Sequence, residues 1–173
     1  LPLGDPRKPE PVVLGSVIGM STVEHCNALV DDALAKGARL LCGGKADSTL
    51  MPATVLDHVT PAMRIYHEET FGPVKCIVRV KNTEEAIACA NDNEYGLSAA
   101  VFGKDIARAF NVARKIDSGI CHVNGPTVHD EAQMPFGGVK GSGIGRFGGK
   151  AGIAEFTELR WVTVQTTPRH YPF

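Results

Sequence analysis

Short apolar segments that alternate with helix-like segments are the feature that most constrains the fold of this chain. The runs "ATVLDHV" (53–59), "VKCIVRV" (74–80), "LSAAVFG" (97–103) and "GICHVNG" (119–125) are of strand length, and several are rich in β-branched residues. Helix-like segments lie between several of them, as in "EEAIACAND" after Thr83. Because a crossover helix joins parallel strands, the alternation predicts an α/β fold with an open, largely parallel sheet and flanking helices.

Local signals predict where some of these elements begin and end. Ser21 and Glu24 have the spacing of a capping box, and Gly37 supplies a stop, which together predict one helix over this stretch. The segment "ARLLCGG" (38–44) then has the pattern of a short buried strand. Asp105 is a candidate N-cap for a later helix.

The two ends of the chain differ from the α/β body between them. A last helix around "GKAGIAEF" (149–156) precedes the alternating run "LRWVTVQ" (159–165). This run predicts an exposed edge strand, and exposed edges commonly pair with another chain. The opening segment "LPLGDPRKPEP" (1–11) contains four prolines and no element pattern, so we expect it to be an interior loop of a longer protein.

Composition and charge limit the classes of partner. The 173 residues carry 18 basic and 19 acidic side chains, and 43% of them are hydrophobic. This balance predicts an ordered domain, with no electrostatic footprint for nucleic acid or an anionic membrane. No apolar run reaches the roughly 18 residues of a membrane span, and no signal-peptide pattern is present. The five cysteines lack C-x-x-C spacing, which favours reduced thiols in the cytoplasm.

The glycine-rich stretch "MPFGGVKGSGIGRFGG" (134–149) contains a G-x-G-x-x-G spacing at Gly143, Gly145 and Gly148. A dinucleotide-binding turn needs a strand directly before it and an acidic residue about twenty residues after it. The preceding segment "QMPFGGVKGS" (133–142) has no core-strand pattern. We therefore interpret the stretch as a long surface loop whose glycines permit positive φ and close backbone approach.

Histidine and cysteine residues near the segment 119–125 raise the question of a metal or a Cys–His site. Neighbouring residues of a strand point to opposite faces, so Cys121 and His122 cannot share a site, and we predict no metal centre. The loop "VHDEAQ" (128–133), which contains His129, offers side chains for acid–base chemistry. No nucleophile accompanies it, so a solvated or packing role is favoured.

The segment "EETFGPV" (68–74) carries the strongest local signal. Two carboxylates, an aromatic residue and Gly-Pro make a rigid turn that leads into the strand-like run 74–80. A carboxylate at a sheet edge can accept hydrogen bonds from the hydroxyls of a ribose, and an aromatic side chain beside it can pack on a heterocycle. A pair of capping acids on the surface is the alternative, and spacing alone does not decide between them.

Four motifs together resemble a known family. "EETFGPV", "NDNEYGLSAAVF", "GICHVNG" and "MPFGGVKGSGIGRFGG", in this order and spacing, resemble the C-terminal part of the aldehyde dehydrogenase superfamily. The likeness covers essentially the whole chain and is greatest to the branch that oxidises aromatic aldehydes, including salicylaldehyde and vanillin dehydrogenases. It implies the C-terminal portion of a catalytic domain over 1–148, followed by a C-terminal helix and oligomerisation arm over 149–173.

The resemblance also implies a reaction. In this family an NAD(P)-dependent enzyme oxidises an aldehyde, here an aromatic, salicylaldehyde-like one, to the carboxylic acid. A cysteine thiolate forms a thiohemiacetal, a hydride leaves to the nicotinamide, and a glutamate activates water. The nucleophile lies in a G-Q-x-C-type motif upstream of "GDP", and no cysteine of this chain sits in such a motif. We therefore expect no catalytic residue in this chain and no activity from it alone.

Individual residues carry over from the family by position. Glu69 matches the carboxylate that holds the nicotinamide ribose hydroxyls, and Phe71 matches the aromatic beside the nicotinamide. Phe136, in "PFGG", matches an aromatic that lines the aldehyde tunnel. The resemblance implies that Val128 and His129 also face that tunnel.

The run "RWVTVQ" (160–165) matches the arm that extends the sheet of a partner subunit in dimers and tetramers of the family, so we expect a homo-oligomer. A second hypothesis is non-enzymatic: a module that keeps the fold and arm and acts in assembly or regulation. The coding sequence upstream of Leu1 would discriminate between the two, because only the enzyme requires the glutamate and cysteine motifs there.

Overall fold

A computed structural model describes residues 1–172 of the chain. The chain divides into two compact units, of which the first is Leu1–Asn82 and the second begins at Thr83. Each unit is described by itself below. The boundary between a catalytic portion at 1–148 and an arm at 149–173 stays a prediction.

The first unit combines two helices with a three-stranded sheet. Its elements are α1 (Met20–Ala35), β1 (Arg39–Cys42), β2 (Thr54–Asp57), α2 (Arg64–His67) and β3 (Val74–Cys76). The strand order is β1-β2-β3, in which β1 pairs with β2 antiparallel and β2 pairs with β3 parallel.

Helix α1 begins two residues earlier than the capping box predicts. Gly19 is the N-cap and makes no side-chain capping bond, so the predicted capping role of Ser21 is wrong. Ser21 already lies inside the first turn, where its side chain is past the position from which it could close the helix end. The predicted stop is confirmed, because α1 ends at Ala35 and Gly37 has a φ of 97°.

The hydrophobic core of the chain lies in the first unit. One face of α1 packs there with residues from β2, β3, α2 and the connecting segments. Its members are Val23, Cys26, Leu29, Val30, Ala33, Ala38, Met51, Leu56, Val59, Met63, Ile65 and Val74. Strand β1 is exposed along its length, so its prediction as a buried strand is wrong. It is an edge strand, and only β2 covers it within the sheet.

The second unit contains three helices and four short strands. They are α3 (Thr83–Asn91), β4 (Tyr95–Gly96), β5 (Ser98–Val101), α4 (Ile106–Ala113), β6 (Ile120–Val123), β7 (Val139–Lys140) and α5 (Gly149–Glu155). Strands β5 and β6 pair parallel through the crossover helix α4, whereas β4 and β7 pair antiparallel. The predicted cap of α4 is confirmed, because the Asp105 carboxylate accepts a hydrogen bond from the Arg108 amide at 3.0 Å.

The strand ladders do not confirm one largely parallel sheet. They form three separate sheets with two parallel and two antiparallel pairings. The run 74–80 was predicted as one strand, but β3 ends at Cys76. Its neighbour β2 ends at Asp57, where His58 adopts a left-handed φ of 59° and interrupts the regular ladder, although the Val59 amide still donates to the Ile77 carbonyl at 3.1 Å.

The run 159–165 is not a strand within this chain. Its residues are exposed and outside any ladder, and the Trp161 side chain is 89% exposed. A strand requires a hydrogen-bonding neighbour, and pairing of this run with another chain stays a prediction. Among residues 1–172, the longest helix has 16 residues, and none is long and apolar enough to cross a membrane.

An ion pair between the buried Asp57 and the largely exposed Arg79 connects β2 to the segment after β3. Asp57 is only 3% exposed, and its carboxylate accepts hydrogen bonds from Arg79 Nε at 2.9 Å and Arg79 Nη2 at 2.6 Å. The His58 amide donates a third hydrogen bond at 2.8 Å. The Arg79 guanidinium lowers the pKa of Asp57 to about 2, against the opposing effect of burial.

We expect Asp57→Asn to lower the stability of the full-length protein, because it leaves Arg79 without its buried partner. The folded pKa lies below the unfolded value of 3.8, so the contribution of Asp57 is fully present above pH 4 and declines as pH falls towards 2. Urea unfolding should therefore give a difference between wild type and variant that is constant from pH 7 to 5 and smaller near pH 3.

Asp31→Asn is the matched control, because Asp31 pairs with Lys45 where both side chains are more than half exposed. Its effect on the urea midpoint should be small at every pH. A difference between wild type and Asp57→Asn that stays constant down to pH 3 would contradict the assignment.

Candidate functional site

The turn 68–73, between α2 and β3, contains two adjacent carboxylates with different surroundings. Arg64 donates to Glu68 through Nε at 2.7 Å and Nη2 at 2.8 Å, and this pair lowers the pKa of Glu68. Glu69 is exposed, and its carboxylate has no hydrogen-bond or ion-pair partner within residues 1–172. One acid is therefore occupied by the protein, and the other is available to a ligand.

Phe71 lies in the same turn with an unusual backbone. Its φ is 48°, in the left-handed region that bulky residues rarely adopt, and its side chain is 77% exposed. Strain of this kind costs on the order of 1–3 kcal/mol and persists only where the surrounding structure over-determines it. The turn thus presents an aromatic ring to solvent beside a free carboxylate.

Helix α1 packs against this turn and binds two of its backbone carbonyls. The Cys26 thiol is fully buried and donates to the Thr70 carbonyl at 3.3 Å. A Cβ at Gly72 would meet Cys26 Sγ at 2.6 Å, so only glycine fits there. His25 Nε2 lies 3.0 Å from the Glu69 carbonyl oxygen, and Nε2 must be the donor because a carbonyl oxygen only accepts.

An open cleft of about 530 Å³ lies along the turn. The segments 13–17 and 69–73, together with Lys75, line it. Glu69 and Phe71, both singled out from the sequence, therefore share one cleft. A free carboxylate beside an exposed aromatic ring suits a ligand that offers a sugar diol and a flat heterocycle.

Val128 and His129 lie in the loop after β6, in the second unit. Val128 is 92% exposed, and the Ser98 hydroxyl holds the loop by donating to the Thr127 carbonyl at 2.9 Å. The His129 ring stands nearly perpendicular to the His122 ring with centroids 5.6 Å apart, and His129 Nε2 lies 3.4 Å from Glu131 Oε1. The loop is therefore held by specific contacts.

Phe136 is fixed by a separate set of bonds. Phe136 and Phe147 exchange two backbone hydrogen bonds, of 2.8 and 2.7 Å, in an isolated antiparallel bridge. Arg146 Nη1 donates to the carbonyls of Gly138 at 2.8 Å and Gly145 at 2.7 Å. The side chain of Phe136 remains 36% exposed on this cross-linked loop.

The glycine spacing in this loop does not form a dinucleotide-binding turn. Gly143, Gly145 and Gly148 all have positive φ, as expected for a loop. The strand before them, β7, has two residues and pairs antiparallel with β4, whereas the fingerprint requires a parallel βαβ unit. The interpretation as a surface loop is confirmed.

Several contacts of the site carry no local sequence signal. His25 and Cys26 reach the turn from 44 residues away, and only the apolar periodicity of α1 could have indicated that Cys26 faces inward. The structure brings His122 and His129 together, and His122 Nε2 is buried without a hydrogen-bond partner in the described residues. Within that part of the chain, no group of three or more His, Cys, Asp or Glu side chains could hold a metal ion.

Comparisons with known proteins place the chain in one family. Residues 1–162 match the sequence model of the Aldehyde dehydrogenase family. A vanillin dehydrogenase from Pseudomonas sp. strain HR199 is 57% identical over 169 residues, which are 98% of this chain and 35% of that protein. The crystal structure of a salicylaldehyde dehydrogenase from Pseudomonas putida G7, complexed with salicylaldehyde, is 50% identical with a TM-score of 0.92.

These matches cover nearly all of this chain but only about a third of each relative. The match to the salicylaldehyde dehydrogenase includes 100% of this chain and 36% of the chain of that protein. An aldehyde dehydrogenase from Mycobacterium tuberculosis, complexed with NAD+, is 34% identical with a TM-score of 0.83, over 91% of this chain and 33% of its own. The chain thus spans about a third of the length of the relatives it matches, and it belongs to the aldehyde dehydrogenase family.

Proposed function

We propose that the chain forms the C-terminal portion of an NAD(P)-dependent aldehyde dehydrogenase that oxidises an aromatic, salicylaldehyde-like aldehyde to the carboxylic acid. The observation that carries this proposal is the cleft in which the free Glu69 carboxylate adjoins the exposed Phe71 ring. Family membership and the names of the relatives, a vanillin and a salicylaldehyde dehydrogenase, support the substrate class.

Glu69 and Phe71 would hold the nicotinamide half of the cofactor. The Glu69 carboxylate can accept hydrogen bonds from both hydroxyls of the nicotinamide ribose, since no group in the described chain competes for it. Phe71 offers an apolar ring face to the nicotinamide, already exposed and fixed by its backbone. When bound, the cofactor supplies the hydride acceptor for aldehyde oxidation. The choice between NAD and NADP depends on parts of the protein outside this cleft.

Phe136, Val128 and His129 would form one wall of the aldehyde tunnel. Phe136 and Val128 expose apolar surface, which suits an aromatic ring, and His129 adds a polar group. The Ser98 and Arg146 hydrogen bonds hold their loops, which supports a wall that would form before the aldehyde binds.

The nucleophilic cysteine and the general-base glutamate would lie in the remaining part of the protein. None of the five cysteines here lies in a G-Q-x-C-type motif. Burial raises the pKa of the Cys26 and Cys121 thiols, which is the opposite of what a thiolate nucleophile needs. The roles of this chain would therefore be binding and positioning. Cysteines without C-x-x-C spacing support a location in the cytoplasm.

The chain would also supply the surface for homo-oligomerisation. The run 159–165 is exposed and apolar at Leu159, Trp161, Val162 and Val164, with no partner in its own ladders. Addition of this run to the sheet edge of another subunit would cover these side chains and pair the backbone.

The assignment of Glu69 is tested by Glu69→Gln in the full-length protein. We expect the dissociation constant for the nicotinamide cofactor to rise about 10- to 100-fold, because charge-assisted hydrogen bonds are lost. The measurement is fluorescence titration with the reduced cofactor, without aldehyde. Glu68→Gln is the matched control, because Arg64 already occupies Glu68. Equal weakening by both variants would contradict the assignment.

The assignment of the catalytic groups is tested with two proteins, the full-length enzyme and residues 1–173 alone. Salicylaldehyde and benzaldehyde are offered with NAD or NADP, and the absorbance of the reduced cofactor is followed. We expect turnover by the full-length enzyme and none by the shorter chain. Activity of the shorter chain would place the nucleophile within it, and inactivity of the full-length protein would favour a non-catalytic assembly or regulatory module.

The role of the run 159–165 is tested by the double substitution Val162→Pro and Thr163→Pro. Successive residues of a strand direct their N–H groups to opposite edges, so the pair removes a donor whichever edge is used. We expect light scattering to report smaller assemblies of the full-length protein. Thr166→Pro, outside the run, should leave the mass unchanged, and an unchanged mass for the double variant would exclude this interface.

A further inference from the structure

Two consecutive side chains of α1 hold two consecutive carbonyls of the turn 68–73. His25 donates from Nε2 to the Glu69 carbonyl at 3.0 Å, and Cys26 donates from Sγ to the Thr70 carbonyl at 3.3 Å. Each pair is 44 residues apart in the chain. The turn is therefore attached to α1 at two adjacent peptide units, directly before the left-handed Phe71.

The Glu69 side chain depends on this attachment for its position. Its carboxylate has no side-chain or backbone partner in the described residues, so only its backbone and its own rotamers set the direction in which it leaves the turn. The peptide unit that follows its Cα contains the carbonyl bound by His25. Loss of that bond would free this peptide unit to rotate, and rotation would move both the Glu69 carboxylate and the Phe71 ring.

The two donors of α1 have different surroundings. Cys26 is fully buried in the core and lies close to Gly72, so it sets the distance between the turn and α1. His25 is partly exposed and is not among the residues that line the cleft. The charged group near its ring is Glu68, which Arg64 holds in a bidentate pair.

We propose that His25 is a positioning residue for the nicotinamide ribose, acting through the Glu69 carbonyl and never touching the ligand. The inference rests on the proposed function of Glu69 and extends it to a residue on a different element. Cys26 and Gly72 fix the distance between the turn and α1. His25 fixes the rotation of the Glu69 peptide unit, and this rotation directs the carboxylate into the cleft.

The test compares His25→Ala with His25→Gln in the full-length protein. Ala removes the donor, and we expect the dissociation constant for NAD to rise about three- to tenfold, the effect of one ordinary hydrogen bond. The Gln side chain carries an N–H at a reach similar to Nε2, and we expect it to restore the constant to within about twofold of wild type. Binding is measured by isothermal calorimetry without aldehyde, and KM for the aldehyde should stay unchanged.

Two controls separate positioning from general stability. Glu24→Ala changes the neighbouring exposed residue of α1 and should leave NAD binding as in wild type. Amide hydrogen exchange without ligand should be faster at residues 69–72 in His25→Ala, and unchanged in the core strand β2.

The outcomes distinguish this inference from the proposed function. Weak NAD binding by Glu69→Gln together with wild-type binding by His25→Ala would overturn the role of His25 and leave that of Glu69 standing. A lower melting temperature for His25→Ala with an unchanged dissociation constant would show a structural role and overturn the inference. If wild type binds neither NAD nor NADP, the proposed function fails, and the inference fails with it.

Discussion

The close approach of α1 to the turn 68–73 is the constraint on which the candidate site depends. Cys26 fills the space that a side chain at Gly72 would need, and its thiol binds the Thr70 carbonyl. The same helix face forms the core with β2 and β3, so the turn is attached to the most buried part of the chain. A left-handed Phe71 and an unpartnered carboxylate can persist there because the backbone beneath them has little freedom to relax.

The difference in surroundings between Glu68 and Glu69 follows from one residue on α2. Arg64 lies four positions before Glu68, one helical turn away, which brings its guanidinium onto that carboxylate. Glu69, one residue further on, makes no ion pair with that guanidinium. Two adjacent glutamates thus have different surroundings: Glu68 forms a structural ion pair, and the Glu69 carboxylate stays free.

Elements with local causes were predictable, and contacts between distant segments were not. The stop of α1 at Gly37, the Asp105 cap of α4 and the strands β2, β5 and β6 follow from glycine conformation, capping chemistry and apolar runs. The early end of β3 coincides with a left-handed His58 in its neighbour, which no pattern within 74–80 contains. Glu69 and Phe71 were found through a motif, whereas the support from His25 depends on where α1 packs in three dimensions.

The conformation of Phe71 also matters for any effort to make the protein more heat-resistant. A procedure that searches for backbone strain and exposed apolar surface would select Phe71 first, because it combines both. Replacement by glycine would relieve the strain and remove the exposed ring, and the protein would tolerate heat better. Under the proposed function, the same replacement would also remove the surface offered to the nicotinamide. Sequences selected for thermal tolerance alone should therefore drift away from phenylalanine at this position, and those selected for turnover should keep it.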